Sequence, residues 1–132
     1  MSNTGSRVPW VPTPSRVTER LLNFLGVGPG DVLLDLGCGD GRLLVAAAKR
    51  GATGVCIEID RVMCNITEIA ATIAGVRHRI KILCRDFFSV DLREVEPRPN
   101  IVYAYLFSSI LSELAPKLEE ELEPGTIIVT LD

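Results

Sequence analysis

Five short apolar runs recur along the chain, and between them apolar residues return every three or four positions. Residues 31–36 (DVLLDL), 54–59 (GVCIEI), 80–84 (IKILC), 100–106 (NIVYAYL) and 126–131 (TIIVTL) read as strands. They are nearly continuous apolar runs rather than strict alternations, as strands covered on both faces require. The intervening stretches 42–50 and 61–74 carry helical periodicity, and Gly75 closes the second. Residues 108–114 read as a short helix, and Pro116 opens another with Leu114, Leu118 and Leu122 on one face. Ahead of the first strand, Thr13-Pro14 reads as an N-cap with proline at the first helical position. The helix it starts repeats Val17, Leu21 and Leu25 on one face. Strands alternating with helices predict βαβ units, a parallel sheet and right-handed crossovers.

Composition bounds this picture. The chain has 132 residues, 47% hydrophobic and 23% charged, enough for one domain with a real core and too few for two. We expect residues 1–8 to form a flexible tail and 9–132 the domain. Fourteen basic against 17 acidic residues leave a net charge of −3, so no strong nucleic-acid footprint is expected. No apolar run is long enough to span a bilayer, and residues 1–7 carry no apolar signal segment. A cytoplasmic setting is the default expectation. Cys38, Cys56, Cys64 and Cys84 show no CxxC pairing and share the chain with one histidine, His78, so they read as buried free thiols rather than a metal site.

The residues that suggest chemistry fall at the carboxyl ends of the strands, where doubly wound sheets bind ligands. After the first strand, Asp35 precedes the loop Gly37-Cys38-Gly39-Asp40-Gly41. Its glycines let backbone N–H groups approach a ligand. Glu58 ends the second strand, 21 residues past Gly37, the offset at which an acid grips ribose hydroxyls. Asp86 and Phe87 follow the third. A dinucleotide fingerprint would place glycine at position 42, which is Arg42, and there is no G-K-[ST] phosphate loop. The carboxylates Asp35 and Asp40 would repel a pyrophosphate. They suit a cationic ligand without phosphates, and S-adenosylmethionine, with a sulfonium and an amino group, is one.

The run from Asp35 to Arg42 (DLGCGDGR) resembles motif I of class I S-adenosylmethionine-dependent methyltransferases. Together with Val11-Pro12-Thr13-Pro14, Ile57-Glu58-Ile59-Asp60, Pro116-Lys117-Leu118 and the segment from Glu121 to Thr126 (ELEPGT), the chain is similar to the small archaeal protein-lysine methyltransferases and their mitochondrial relatives. The resemblance implies a Rossmann-like α/β fold, a doubly wound parallel sheet in strand order 3-2-1-4-5. It also implies protein lysine side chains as methyl acceptors. Pro12 and Thr13 would fold over the cofactor. Asp35, Gly37, Cys38 and Gly39 would hold its methionine part, Glu58 both ribose hydroxyls, and Ile59, Asp86 and Phe87 the adenine. Tyr103 and Tyr105 would line the acceptor channel as the catalytic candidates. The usual C-terminal antiparallel hairpin of the family is not in this sequence. Other readings are a non-catalytic S-adenosylmethionine-binding module, a fragment of a longer chain, or a methyltransferase for RNA or a small molecule. Asp40 and Asp60 read as helix caps rather than ligands, and Phe88 and Phe107 read equally as core or as cofactor rim. The uncharged run 126–131 would make an exposed edge, so we expect association of two copies there.

Overall fold

The computed structural model describes residues 15–131. Five parallel strands run in the order β3-β2-β1-β4-β5: β1 (Val32–Leu36), β2 (Thr53–Ile57), β3 (Ile80–Leu83), β4 (Ile101–Tyr105) and β5 (Ile127–Leu131). Four helices cover them: α1 (Ser15–Leu25), α2 (Arg42–Lys49), α3 (Arg61–Ile73) and α4 (Ser108–Glu121). This is the doubly wound Rossmann-like sheet that the strand pattern predicted. The segments Met1 to Pro14, with Pro12 and Thr13, and Asp132 lie outside the described residues.

The two faces of the sheet make two cores. On one, Leu33, Cys56, Ile101 and Tyr103 meet Leu22 of α1 and Leu43, Leu44, Ala47 and Ala48 of α2. On the other, Leu34, Leu36, Val55, Ile57 and Val102 meet Leu114, Leu118 and Leu122 of α4 and its C-cap, with Leu92 and Val95 from the loop before β4. The inner strands β1, β2 and β4 therefore alternate between two buried sides, which explains their unbroken hydrophobicity, while β3 and β5 are edge strands with exposed positions at Lys81, Ile127 and Ile128. The alanines of α2 let it lie close on the sheet. A Cβ on Gly54 would stand 3.0 Å from Leu44.

Asn100 ties the feet of three strands together. Its side-chain oxygen accepts the Val32 N–H at 2.7 Å, and its amide donates to Asp31 at 2.9 Å. Its backbone N–H donates to Val32 O, and its carbonyl accepts the Ile127 N–H.

Three local expectations change. Residues 108–121 form one helix that runs through Pro116 rather than two. Proline removes only the bond to the carbonyl of Ser112, which is exposed and can be solvated. On α1 the buried residues are Thr18 and Leu22; Leu21 and Leu25 are partly buried and Val17 is exposed, so the inward face is turned from the expected one. Cys38, Cys56 and Cys64 are buried and Cys84 is partly buried, but none is free. Cys38 is bonded to Cys56 and Cys64 to Cys84, with Cα–Cα distances of 5.5 and 6.1 Å. Cys38 in the loop after β1 meets Cys56 of β2, and Cys64 of α3 meets Cys84 after β3, so the sheet and its crossover helix bring together cysteines 18 and 20 residues apart.

Candidate functional site

The carboxyl end of β1 turns sharply at Gly37, with φ +77°. The Gly37 N–H donates to Ile57 O of β2 at 2.8 Å. A Cβ on Gly37 would lie 3.7 Å from both Phe87 and Leu106. The segments after β1, β3 and β4 thus meet at this one glycine. Of the predicted contacts, Phe87 is buried here, while Asp86 is half-buried and accepts the Phe88 N–H at 3.0 Å, fixing the turn after β3.

Glu58 organises the centre. It is a buried carboxylate, and both its oxygens are used. Oε1 accepts the Gly39 N–H at 3.0 Å and Oε2 accepts the Asp60 N–H at 2.9 Å. A carboxylate offers about four acceptor sites, so it keeps acceptor capacity beside the bonds from the Gly39, Asp60 and Ile59 N–H groups. Burial raises the Glu58 pKa, and the N–H bonds from Asp60 and Gly39 work against that rise. Asp60 caps α3, accepting the Val62 and Met63 N–H groups, which confirms its capping role. Asp40 accepts the Arg42 N–H and pairs with the Arg42 guanidinium at 2.7 Å. Ile59 is partly buried between Glu58 and Asp60.

Asp35 is the second buried acid. In register it stands between Cys56 of β2 and Tyr103 of β4, so the three side chains share one row on one face. Enclosure pushes its pKa up to about 8, and the charges of Glu58 and Asp40 add to the rise. Three carboxylates therefore converge on the glycine loop. Tyr103 is enclosed in the core of that face, while Tyr105, two residues on, is partly buried at its margin. Phe107 is exposed, Phe88 packs beside Phe87, and His78 is exposed far from the loop in the turn before β3.

Sequence reasoning missed Thr67. It is fully buried on α3, and its hydroxyl donates to Gly39 O at 2.9 Å, so the loop is held from both sides: Glu58 on its N–H, Thr67 on its carbonyl. A threonine on the inward face of a predicted helix was the available signal. Cys38, expected to touch the cofactor, has its side chain turned to Cys56, which leaves only its backbone for that role.

The ANTKMT methyltransferase domain model matches residues 35–132. The chain belongs to that family. A protein-lysine N-methyltransferase of Saccharolobus islandicus is 39% identical over 127 residues, which are 93% of this chain and 75% of that protein. The mouse adenine nucleotide translocase lysine N-methyltransferase is 30% identical over 125 residues; the matched part is 94% of this chain and 52% of the mouse protein. Among solved structures, an RNA methyltransferase from Salinibacter ruber in complex with S-adenosyl-L-homocysteine is 40% identical, with a TM-score of 0.84, covering 91% of this chain and 76% of that one. The domain is an S-adenosylmethionine-dependent methyltransferase. Its residues fit the cofactor on their own chemistry: a buried carboxylate with spare lone pairs suits a ribose diol, and a loop ringed by Asp35, Asp40 and Glu58 suits a sulfonium and an ammonium group. Among the described residues, no helix is long and apolar enough to cross a membrane.

Proposed function

We propose that this chain N-methylates lysine side chains of proteins. The observation that carries the cofactor half is the meeting of the strand ends at Gly37, with Glu58 fastened to the loop beside it. In this reading Glu58 takes the ribose hydroxyls, Asp35 and the backbone of residues 37–39 hold the methionine part, and Asp86, Phe87 and Ile59 bound the adenine. Pro12 and Thr13 belong to the same reading. The sulfonium supplies a methyl group with a neutral leaving group, so no general acid is required.

The acceptor half rests on the Saccharolobus and mouse relatives, both lysine N-methyltransferases by name. A lysine must attack as the neutral amine, and deprotonation at pH 7 costs about 4.6 kcal/mol from a pKa of 10.4. A dry, aromatic wall lowers that cost by disfavouring the ammonium form. In this reading Tyr105, partly buried at the end of β4, supplies it. Tyr103 supports that wall from within the core. The net charge of −3 suits basic protein partners.

A second reading is RNA as acceptor, favoured by the name of the Salinibacter structure. One experiment separates them. The protein is incubated with methyl-labelled cofactor and a cell extract, and the labelled macromolecules are acid-hydrolysed. Methyl-lysine is the expected product. Label confined to RNA or small molecules overturns the lysine reading and leaves the fold intact.

A further inference from the structure

Helix α3 buries one face against the sheet through Cys64, Thr67 and Ala71, and carries a second apolar stripe on its outer side. Val62, Ile66, Ile69 and Ile73 are 61, 37, 58 and 82% exposed. At 100° per residue these four fall within about 60° of arc. Their spacing of four, three and four is that of a helix-pairing seam. The positions flanking the seam are Met63, Asn65, Ala70 and Thr72, none of them charged. A solvated helix face ordinarily carries Lys or Glu there. The helix's two charged residues, Arg61 and Glu68, stand to the side.

We propose that α3 is the interface of a homodimer, pairing with α3 of a second copy in antiparallel fashion about a two-fold axis near Thr67 and Glu68. That register sets Ile66 against Ile69 of the partner subunit and Val62 against Ile73 of the partner subunit. The stripe thereby becomes its own complement, as a two-fold interface demands. The exposed area of the four side chains is roughly 400 Å² per copy, within the range of the largest apolar patch of a typical monomer, which is often functional. It is about half of the ~800 Å² per partner in a standard interface, and such interfaces are a little over half apolar. An uncharged seam also disfavours a membrane surface, which asks for Lys and Arg along the flanks.

Another exposed apolar surface is β5, where Ile127 and Ile128 are half-exposed; Phe24 and Phe107 are exposed singly. Its open edge offers backbone groups that any extended strand can satisfy, whereas the α3 stripe offers only side chains. A chain continuing past β5 would leave four strand spacings from β3, on which α3 packs, a distance of ~19 Å.

Sedimentation velocity on the full chain across a dilution series tests the proposal. Wild type is expected to sediment as a dimer of the 14.4 kDa chain. Ile69→Lys with Ile73→Lys is expected to give monomer with unchanged circular dichroism, because both positions are exposed in the protomer. Thr72→Arg, a milder change at the flank, is expected to raise the dissociation constant at least tenfold. Ile128→Lys is expected to leave the dimer intact. A wild type that is monomeric at 100 μM overturns the proposal, including the case in which residues 1–14 of the same chain cover the stripe. A dimer that survives the α3 changes but is lost in Ile128→Lys overturns it in favour of the β5 edge.

Discussion

Gly41→Ala probes how tightly the glycine loop and α3 are fitted. Gly41 has φ +78°, and an alanine there pays about 1–2 kcal/mol for the left-handed backbone. Its Cβ would also stand 2.6 Å from Cγ2 and 2.7 Å from Oγ1 of Thr67. Thr67 is fully buried and stiff at χ1, so it yields only by shifting α3 or by dropping its bond to Gly39 O. That overpacking adds about 1–3 kcal/mol. The expected total is about 2–5 kcal/mol. At about 4 °C per kcal/mol for a domain of this size, the melting temperature falls by roughly 8–20 °C. Scanning calorimetry and denaturant titration of Gly41→Ala, Thr67→Ala and the double variant measure it. Thr67→Ala alone loses about 1 kcal/mol with its hydrogen bond. In the double variant the clashing atoms are gone, so its loss is smaller than the sum of the singles by about 1–3 kcal/mol. Additivity within about 0.5 kcal/mol refutes the contact; a neutral Gly41→Ala refutes the whole argument.

Three further outcomes are expected. Glu58→Ala removes most of the melting-temperature rise given by S-adenosylmethionine, since the ribose loses its acceptor, and titration calorimetry should show about 1–3 kcal/mol of lost affinity; an undiminished shift removes Glu58 from the site. Between its usual 3.8 and about 8, folded Asp35 keeps a proton that the unfolded chain releases, so stability falls as pH rises through that window and levels off above it. A cationic ligand favours the carboxylate, so its affinity strengthens toward pH 8; Asp35→Asn should flatten both dependences in pH-resolved melting and binding curves. Thiol titration should find no free cysteine in the native protein and four after reduction, and reduction should lower stability by about 3 kcal/mol per bridge for loops of 18 and 20 residues; four reactive thiols in the unreduced, denatured chain would contradict the pairing.

Strand positions were legible because β1, β2 and β4 are buried on both faces, and all five runs are apolar and bounded by glycine, proline or acids. The site was legible in part for the same reason: Asp35, Gly37 and Glu58 follow directly from strand ends whose places the pattern defines. What escaped depends on neighbours distant in sequence. Thr67 acts by reaching Gly39 across 28 residues, and nothing in the local pattern separates it from an ordinary buried threonine. One cysteine pair joins the loop after β1 to β2, and the other joins α3 to the segment after β3, pairings that no spacing rule for metal or redox motifs describes. Pro116 misled because the rule against interior proline is local, while Leu114 and Leu118 anchor the helix on both sides of it. The inward face of α1 was misjudged for a similar reason, since Thr18 is buried by its packing partner and not by its own polarity.

The seam at Asn100 has a consequence for the order in which the molecule assembles. Val32 meets Thr53 across 21 residues, Gly54 meets Ile80 and Ile101 meets Ile127 across 26 each, but Leu33 meets Ile101 across 68. Closing the longest of these loops costs about 1 kcal/mol more than the shorter ones. The protein is therefore two short-range halves joined by one long-range joint, with Asn100 at its foot. The first half carries the glycine loop, Glu58 and Asp86; the second carries Tyr103 and Tyr105. A chain emerging from the ribosome presents the glycine loop, Glu58 and Asp86 before the tyrosines and Leu106 appear, and the row Cys56–Asp35–Tyr103 exists only once the joint has shut.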